Sequence, residues 1–259
     1  MIPVSLSIAG SDPSGGAGIQ ADLKTFHRFN VYGEAVVTLI TAQNTLGVQS
    51  VEVLSPELVD AQLCAVLEDI PPAAAKTGAL GNRGIVEAIA RAAERFQFPL
   101  VVDPVMISKN GTAMMDEEAR RVFSEKLLPR AFLVTPNLAE AGELAGFAVV
   151  DKESMARAAG KLRAMGAANV LVKGGHLEGA AVDILLAASG EFREFPAPRI
   201  ATSRTHGTGC TYSAAITAGL ARGRELTDAV AAAKVFITEA IRTAPALGRG
   251  SGPLNHFAR

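Results

Sequence analysis

Cysteine is scarce in this chain: Cys64 and Cys210 are the only two among 259 residues. Two are too few for a disulfide framework, and their separation excludes C-x-x-C zinc or redox chemistry. Such sparing use fits a reducing compartment, so a cytoplasmic protein is expected. A charge excess is also missing. Lysine plus arginine number 25 against 26 aspartate plus glutamate, a net charge of −1, which leaves no electrostatic footprint for nucleic acid or an anionic membrane. No stretch reaches the roughly 18 unbroken apolar residues of a membrane-spanning helix. Residues 1–10 lack the basic flank and long apolar run of a signal peptide and read as a strand. There is no G-x-x-x-x-G-K-[ST] phosphate loop, no internal repeat and no linker-like change of composition. What remains is a globular chain, 49% hydrophobic and 20% charged, expected to fold as a single domain over residues 1–259 and to handle a small molecule.

Short apolar runs predict strands at 4–9, 35–40, 100–102, 132–134 and 170–172, with helical patterns between most of them. Ile85, Ile89, Ala92 and Phe96 recur at helical spacing, as do Met155, Ala158, Leu162 and Met165, and then Leu226, Val230, Ala233, Ile237 and Ile241. Alternation of this kind implies an α/β fold with a mostly parallel sheet. Residues 182–188 and 191–195 read as a hairpin turning at Ser189-Gly190, an antiparallel edge; Ile70-Pro71-Pro72 and Pro196-Ala197-Pro198 read as loops. Polar or glycine-rich groups recur where strands end: Gly10-Ser11-Asp12, Thr41-Ala42-Gln43-Asn44, Lys76-Thr77-Gly78, Asp103-Pro104, Thr135-Pro136-Asn137 and Lys173-Gly174-Gly175. Ligands of open parallel sheets bind beyond the carboxyl ends of the strands, so six such tips predict one cleft.

The most pointed segment is Thr205-His206-Gly207-Thr208-Gly209-Cys210-Thr211-Tyr212-Ser213, a glycine-flanked turn running into the alanine-rich helical stretch 213–222. Free N–H groups and the dipole at a helix start suit an anion, and Gly207 and Gly209 permit close approach. The same field is expected to lower the Cys210 thiol below its usual value of about 8.5. Cys64 reads as a small buried hydrophobe, and His206 as a residue for backbone packing or ligand orientation. Asn137 to Glu140 forms a capping box, yet directly after a strand Glu140 could also help to hold Mg²⁺; Asp103 is either a turn residue before proline or a charge beside phosphates and metal. Lys173 is either solvated or beside a ligand, whereas Asp22 and Lys24 read as solvated or cap-forming. Gly16-Ala17-Gly18-Ile19-Gln20-Ala21 matches G-x-G-x-x-A but lacks the acidic residue at a following strand end, which argues against a dinucleotide site.

These segments together resemble the hydroxymethylpyrimidine and phosphomethylpyrimidine kinases of thiamine biosynthesis, within the ribokinase-like superfamily. The matching stretches are 9–12 with 15–25, 41–45, 103–106, 135–137, Lys173-Gly174-Gly175-His176, 206–211 and the ending 252–257. The resemblance implies a ribokinase-like three-layer sandwich, with helices on both faces of the sheet, and ATP-dependent phosphorylation of the pyrimidine and then of its monophosphate. It implies Cys210 as the base, with Gly207, Thr208 and Gly209 around the transferring phosphoryl. Gln43, Gly10, Ala17, Val105 and Asp12 would form the pyrimidine side, Lys173, Gly175 and Thr135 the nucleotide side, and Glu140, Asp103 and Asn137 the Mg²⁺ side. A homodimer is implied by the family alone. Two places depart from the family pattern: Gly78-Ala79-Leu80, where methionine is frequent at the middle position, and Asp12-Pro13-Ser14, in place of a more serine- and glycine-rich stretch. Pyridoxal kinase is the nearest rival; a thiol hydrolase or acyltransferase using Cys210, and a non-catalytic binding protein, are the other readings.

Overall fold

The structure is a computed structural model, described here for residues 2–107, 111, 114–175 and 179–259. His176 lies outside the described residues. In chain order the elements are β1 Val4–Ser11, α1 Gly18–Arg28, β2 Tyr32–Asn44, β3 Gly47–Val53, α2 Pro56–Asp69, β4 Ala74–Thr77, α3 Arg83–Ala93 and β5 Leu100–Val102. There follow α4 Glu117–Val122, β6 Leu133–Val134, α5 Leu138–Ala145, α6 Lys152–Ala164, β7 Asn169–Val172, β8 Ala181–Leu186, β9 Phe192–Ala197, α7 Thr208–Ala221 and α8 Leu226–Arg242. A wider helical turn at Phe123–Leu127 and a tight one at Leu128–Arg130 continue α4 toward β6.

Among the described residues the nine strands join one sheet in the order β3-β2-β1-β4-β5-β6-β7-β8-β9. The six from β2 to β7 run parallel, and β3, β8 and β9 are antiparallel to their neighbours. Period-two alternation in the strands loads both faces. Val102, Val134, Val170 and Val172 pack with α3, α5 and α6 on one side, whereas Val101, Leu133, Leu171 and Leu185 pack with α7 and α8 on the other. α1 joins the second face through Phe26, which packs with Ala214 and Ala218 of α7. The result is a three-layer α/β/α sandwich.

The helices start where local chemistry dictates. Ser55, Asn82, Asp116, Asn137 and Asp151 each accept a backbone N–H from the first turn that follows, satisfying donors that a helix leaves orphaned. The predicted hairpin forms, turning over Gly190 at φ +92. Pro196 and Ala197 are not in a loop, however. They pair with Val182 and Ala181 at the end of β9, an edge strand, where a proline without an N–H costs no ladder bond. β3 and β4 are additions to the predicted strands. β4 reads Ala-Ala-Lys-Thr, too short and too polar for an apolar run, and it is strand all the same because it is central and wholly buried.

α7 begins at Thr208, five residues before the predicted helical stretch. Its N-cap, Gly207, has φ +79, and a Cβ there would stand 1.8 Å from the Gly16 carbonyl oxygen. Only glycine fits. Cys210 therefore lies in the first turn of α7 rather than ahead of it.

Candidate active site

The strand order β2-β1-β4 places a topological switch at β1 and β4: the chain leaves β1 for one edge, then returns to build toward the other. Crevices beyond the carboxyl ends of strands open at such a point. Asp103 and Lys173 follow β5 and β7 on that side, and the N-terminus of α7 closes over them. A Cβ added to Gly209 would lie 3.4 Å from Lys173 Nζ and 3.5 Å from Asp103 Oδ2. Two of the predicted strand tips and the glycine turn thus meet.

At the centre Lys173 Nζ donates to Asp103 Oδ1 at 2.9 Å. Thr135 Oγ1 donates to the same oxygen at 3.1 Å, and Ser213 Oγ to the other at 3.4 Å. Thr135 is buried, so its hydroxyl serves Asp103 rather than facing the cleft. Burial alone would push the Asp103 carboxyl up, but the charges of Lys173 and Lys76 and these bonds outweigh it and hold it below the ordinary range. Burial pushes Lys173 down, and Asp103 and Glu140 more than reverse that, so its ammonium stays charged.

Glu140 is buried in its capping box. One carboxylate oxygen accepts the Asn137 N–H at 2.8 Å, and Asn137 Oδ1 accepts the Glu140 N–H at 3.0 Å. Burial pushes its carboxyl up to about 7, with Asp103 adding and Lys173 and the Asn137 N–H opposing. Capping and site roles coexist because the box stands directly after β6, where Asn137 bridges to Lys173 of the neighbouring strand tip. Among the described residues no group of three His, Cys, Asp or Glu side chains gathers to hold a metal alone. Two carboxylates suit a hydrated Mg²⁺ that takes its remaining ligands from phosphate and water. Gly175 is exposed, and a Cβ there would meet nothing within 4 Å.

On the other flank, loop 12–17 is wound around Asp12. Its carboxylate accepts the N–H groups of Ser14 and Ala17 at 2.9 and 2.8 Å, the Ser14 hydroxyl at 3.0 Å and His206 Nε2 at 2.8 Å. Burial raises Asp12, but His206 and Ser14 outweigh it and the carboxyl is held low. Both Asp12 oxygens are committed to shaping the loop. His206 in turn passes its backbone N–H to Gly252 at 3.2 Å and has Gln43 Nε2 3.3 Å from its Nε2. Since that ring nitrogen donates to Asp12, the Gln43 amide is poorly served by it and stays available to a ligand. Gly10 has no room for a side chain, as a Cβ would stand 2.5 Å from Leu39 Cδ1. Ala17 and Val105 are half-buried along the same cleft, and Ala79 is half-buried after β4, its carbonyl accepting from Thr38 at 2.6 Å.

Three sequence expectations are overturned. Cys64 is exposed on α2 rather than buried. Asp22 is neither solvated nor a cap: it is fully buried, paired with the equally buried Lys76 at 2.8 Å, and accepts the Ser7 hydroxyl at 2.6 Å. Lys24, two residues on, is exposed, as expected. Finally, the Cys210 thiol is not lowered. Burial, with Asp22 and Asp103 adding to it, pushes it up to about 11 against the opposing charge of Lys76 and a bond from Gly18 N–H. Lys76 was visible in sequence only as part of a strand tip, and the four residues of β4, Ala-Ala-Lys-Thr, carry no local signal that the lysine is buried. A separate cavity of about 550 Å³ opens at the amino ends of β5, β6 and β7, lined by Phe96, Phe98, Leu100, Pro129, Phe132 and Ala168. It holds none of these groups.

A phosphomethylpyrimidine kinase family model matches residues 12–255. The chain is 50% identical over 262 residues to the hydroxymethylpyrimidine/phosphomethylpyrimidine kinase of Rhizobium meliloti, covering 100% of this chain and 98% of that one. Among solved structures, phosphomethylpyrimidine kinase from Clostridium difficile is similar at 44% identity and a TM-score of 0.82, over 92% of this chain and 99% of that one. An ADP complex of Bacillus subtilis pyridoxal kinase is similar at 40% identity and a TM-score of 0.91, over 100% and 98%.

Proposed function

The chain belongs to the phosphomethylpyrimidine kinase family, and on that premise we propose how its site transfers the γ-phosphoryl group of ATP. The acceptor is the hydroxymethyl oxygen of 4-amino-5-hydroxymethyl-2-methylpyrimidine, and the monophosphate so formed accepts a second phosphoryl, in the route to thiamine. The observation that carries this reading is the closure of the Gly207–Cys210 turn over the Lys173–Asp103 pair, which brings an anion-binding helix start and a fixed cation to one point.

Phosphoryl transfer asks mainly for positioning and for positive charge around the peripheral oxygens. First-turn N–H groups at Gly209 and Cys210 precede the first i→i−4 bond of α7, from Thr211 N to Gly207 O at 2.9 Å, and face the developing charge. Lys173 lies beside them on the nucleotide side, with Gly175 allowing close backbone approach. Glu140 and Asp103 supply the hard oxygen donors that fit Mg²⁺, with Asn137 setting the orientation of Glu140. When bound, the ion neutralises phosphate charge. The substrate oxygen forms its bond to the γ-phosphorus, the bond to the β-phosphate oxygen breaks to leave ADP, and the hydroxyl proton passes to the Cys210 sulfur. Gln43 pairs with the aminopyrimidine edge, its amide offering both donor and acceptor, while Gly10, Ala17 and Val105 line the ring. Asp12 and Thr135 act through loop 12–17 and Asp103 respectively.

A pyridoxal-phosphorylating activity is the second reading, favoured by the similarity to the Bacillus subtilis pyridoxal kinase. Against it, Cys64 and Cys210 are the only thiols, and neither stands in a lid where it could trap an aldehyde. Coupled ADP release with the hydroxymethylpyrimidine, its monophosphate and pyridoxal side by side tests both readings; turnover of pyridoxal alone would reject the first. The proposal extends to a cytoplasmic homodimer, which light scattering checks. Among the described residues no helix is long and apolar enough to cross a membrane.

A further inference from the structure

Behind the Lys173-Gly174-Gly175 turn lies a buried ion pair that the chemistry above does not use. The β7–β8 ladder runs to Val172 opposite Ile184, and the turn begins directly beyond it. Gly174 is buried, and a Cβ there would run into the Val182 carbonyl oxygen, so the backbone of β8 lies against it. An N–H in such a place needs a partner inside the protein. It finds a side chain: Asp183 Oδ1, from β8, accepts the Gly174 N–H at 3.0 Å. The other Asp183 oxygen accepts from Lys234 Nζ, which reaches in from α8, at 2.6 Å. Asp183 is 2% and Lys234 8% exposed. Removing two charges from water costs several kcal/mol per ion, and an apolar pair of equal volume is often as stable, so stability is a weak reason for this pair. On the other side of the turn the Lys173 N–H donates to the Pro136 carbonyl at 2.8 Å. Both peptide planes that flank the Lys173 Cα are therefore held through their N–H groups, one from the end of β6 and one from β8.

We infer that Asp183 is a positioning residue for the nucleotide: with its charge cancelled by Lys234, it holds the Gly174 N–H and so fixes the turn that aims Lys173 at the phosphates and presents the Gly175 backbone to ATP. This rests on Lys173 and Gly175 forming the nucleotide side. Each partner then has a reason. A carboxylate is a strong acceptor for a backbone N–H, but left bare it would repel the phosphates that Lys173 attracts. Lys234 removes that repulsion from behind the turn, without entering the cleft.

The test compares two neutral replacements of the pair in the full chain. Asp183→Asn with Lys234→Met keeps an acceptor for Gly174, whereas Asp183→Leu with Lys234→Met is of like size and has none; where leucine prevents folding, Asp183→Ala with Lys234→Met removes the acceptor instead. In titration calorimetry with ATP the asparagine variant should bind within about threefold of the parent, and the variant without an acceptor about tenfold more weakly, the scale of one lost hydrogen bond. KM for ATP should follow that loss while KM for the pyrimidine holds. Equal ATP affinity in the two variants, or a matched loss for ATP and pyrimidine, overturns the proposal. Gly175→Leu checks the premise by itself, because among the described residues a Cβ there meets nothing within 4 Å, so the side chain fits the free protein and should obstruct the nucleotide. ATP binding unaltered by Gly175→Leu overturns the proposal through its premise. ATP binding weakened by Gly175→Leu but equal in the two neutral variants overturns the role of Asp183 and leaves the nucleotide side standing.

Discussion

Replacing Cys210 by aspartate should change how the reaction depends on pH. Burial first, and then Asp22 and Asp103, push the free thiol up to about 11. Between pH 6.5 and 8.5 the thiolate is a small fraction that grows tenfold per unit, so kcat/KM for the pyrimidine, which reports ionisation in the free enzyme, should rise about tenfold per unit as well. A carboxylate starts from about 3.9, so even a rise of two units from burial leaves it ionised across this range and its profile nearly flat. The ratio of C210D to wild-type activity should therefore be about 100-fold larger at pH 6.5 than at pH 8.5, two units at tenfold each. Cys210→Ala keeps the helix start, since alanine is the best helix former, and removes the base alone. Its kcat at pH 8.5 should fall by about 10²- to 10⁴-fold, roughly 3 to 5 kcal/mol, with ATP binding unchanged. Coupled ADP release across pH, with calorimetric titration of ATP, makes the measurement. Parallel profiles for wild type and C210D, or an alanine variant within about threefold of wild type, would refute proton transfer to this sulfur.

Gly207→Ala should cost about 1–2 kcal/mol for the left-handed backbone alone, and the Cβ directed at the Gly16 oxygen must also part loop 12–17 from α7. A fall in both Tm and kcat is expected in scanning calorimetry and turnover, and an unchanged kcat would separate that contact from catalysis. Gln43→Ala should weaken the pyrimidine by about 1 to 3 kcal/mol, as for an unpaired buried polar edge; an equal loss for ATP in titration calorimetry would remove Gln43 from the pyrimidine side. Glu34 is buried with one carboxylate oxygen lacking a hydrogen-bond partner among the described residues, and burial, with Asp69 adding, raises it from 4.5 to about 7. A group raised in the fold contributes its stability below its unfolded value and loses it as pH climbs through the folded one. Glu34→Gln should therefore gain on wild type in urea unfolding between pH 5.5 and 8, and a constant gap would count against the assignment.

Residues that act through their covalent neighbours were legible in the sequence. The capping box of Asn137 and Glu140, the hairpin at Ser189-Gly190, the apolar faces of α3, α6 and α8, and the polar strand tips all follow from periodicity and turn chemistry, which operate over a few residues. The family motifs add up because they occupy those tips. β4 was only partly legible, for its strand character comes from lying between β1 and β5 rather than from its own four residues.

The ionic core beneath the site illustrates the limit. Nothing local marks Asp22 and Lys76, 54 residues apart, as partners, and a charged residue on a helix is ordinarily solvated. Cys210 shows the same boundary from the other side. Its place at a helix start is a local fact, and that alone argues for a lowered thiol. Whether the thiol is lowered depends on burial and on through-space charges from α1, β4 and the end of β5, and burial with Asp22 and Asp103 outweighs the favourable charge of Lys76. Sequence by itself determined which groups stand at the carboxyl ends of the strands. Tertiary structure alone decided their charge states, because desolvation and Coulomb interaction depend on distance in space and not along the chain.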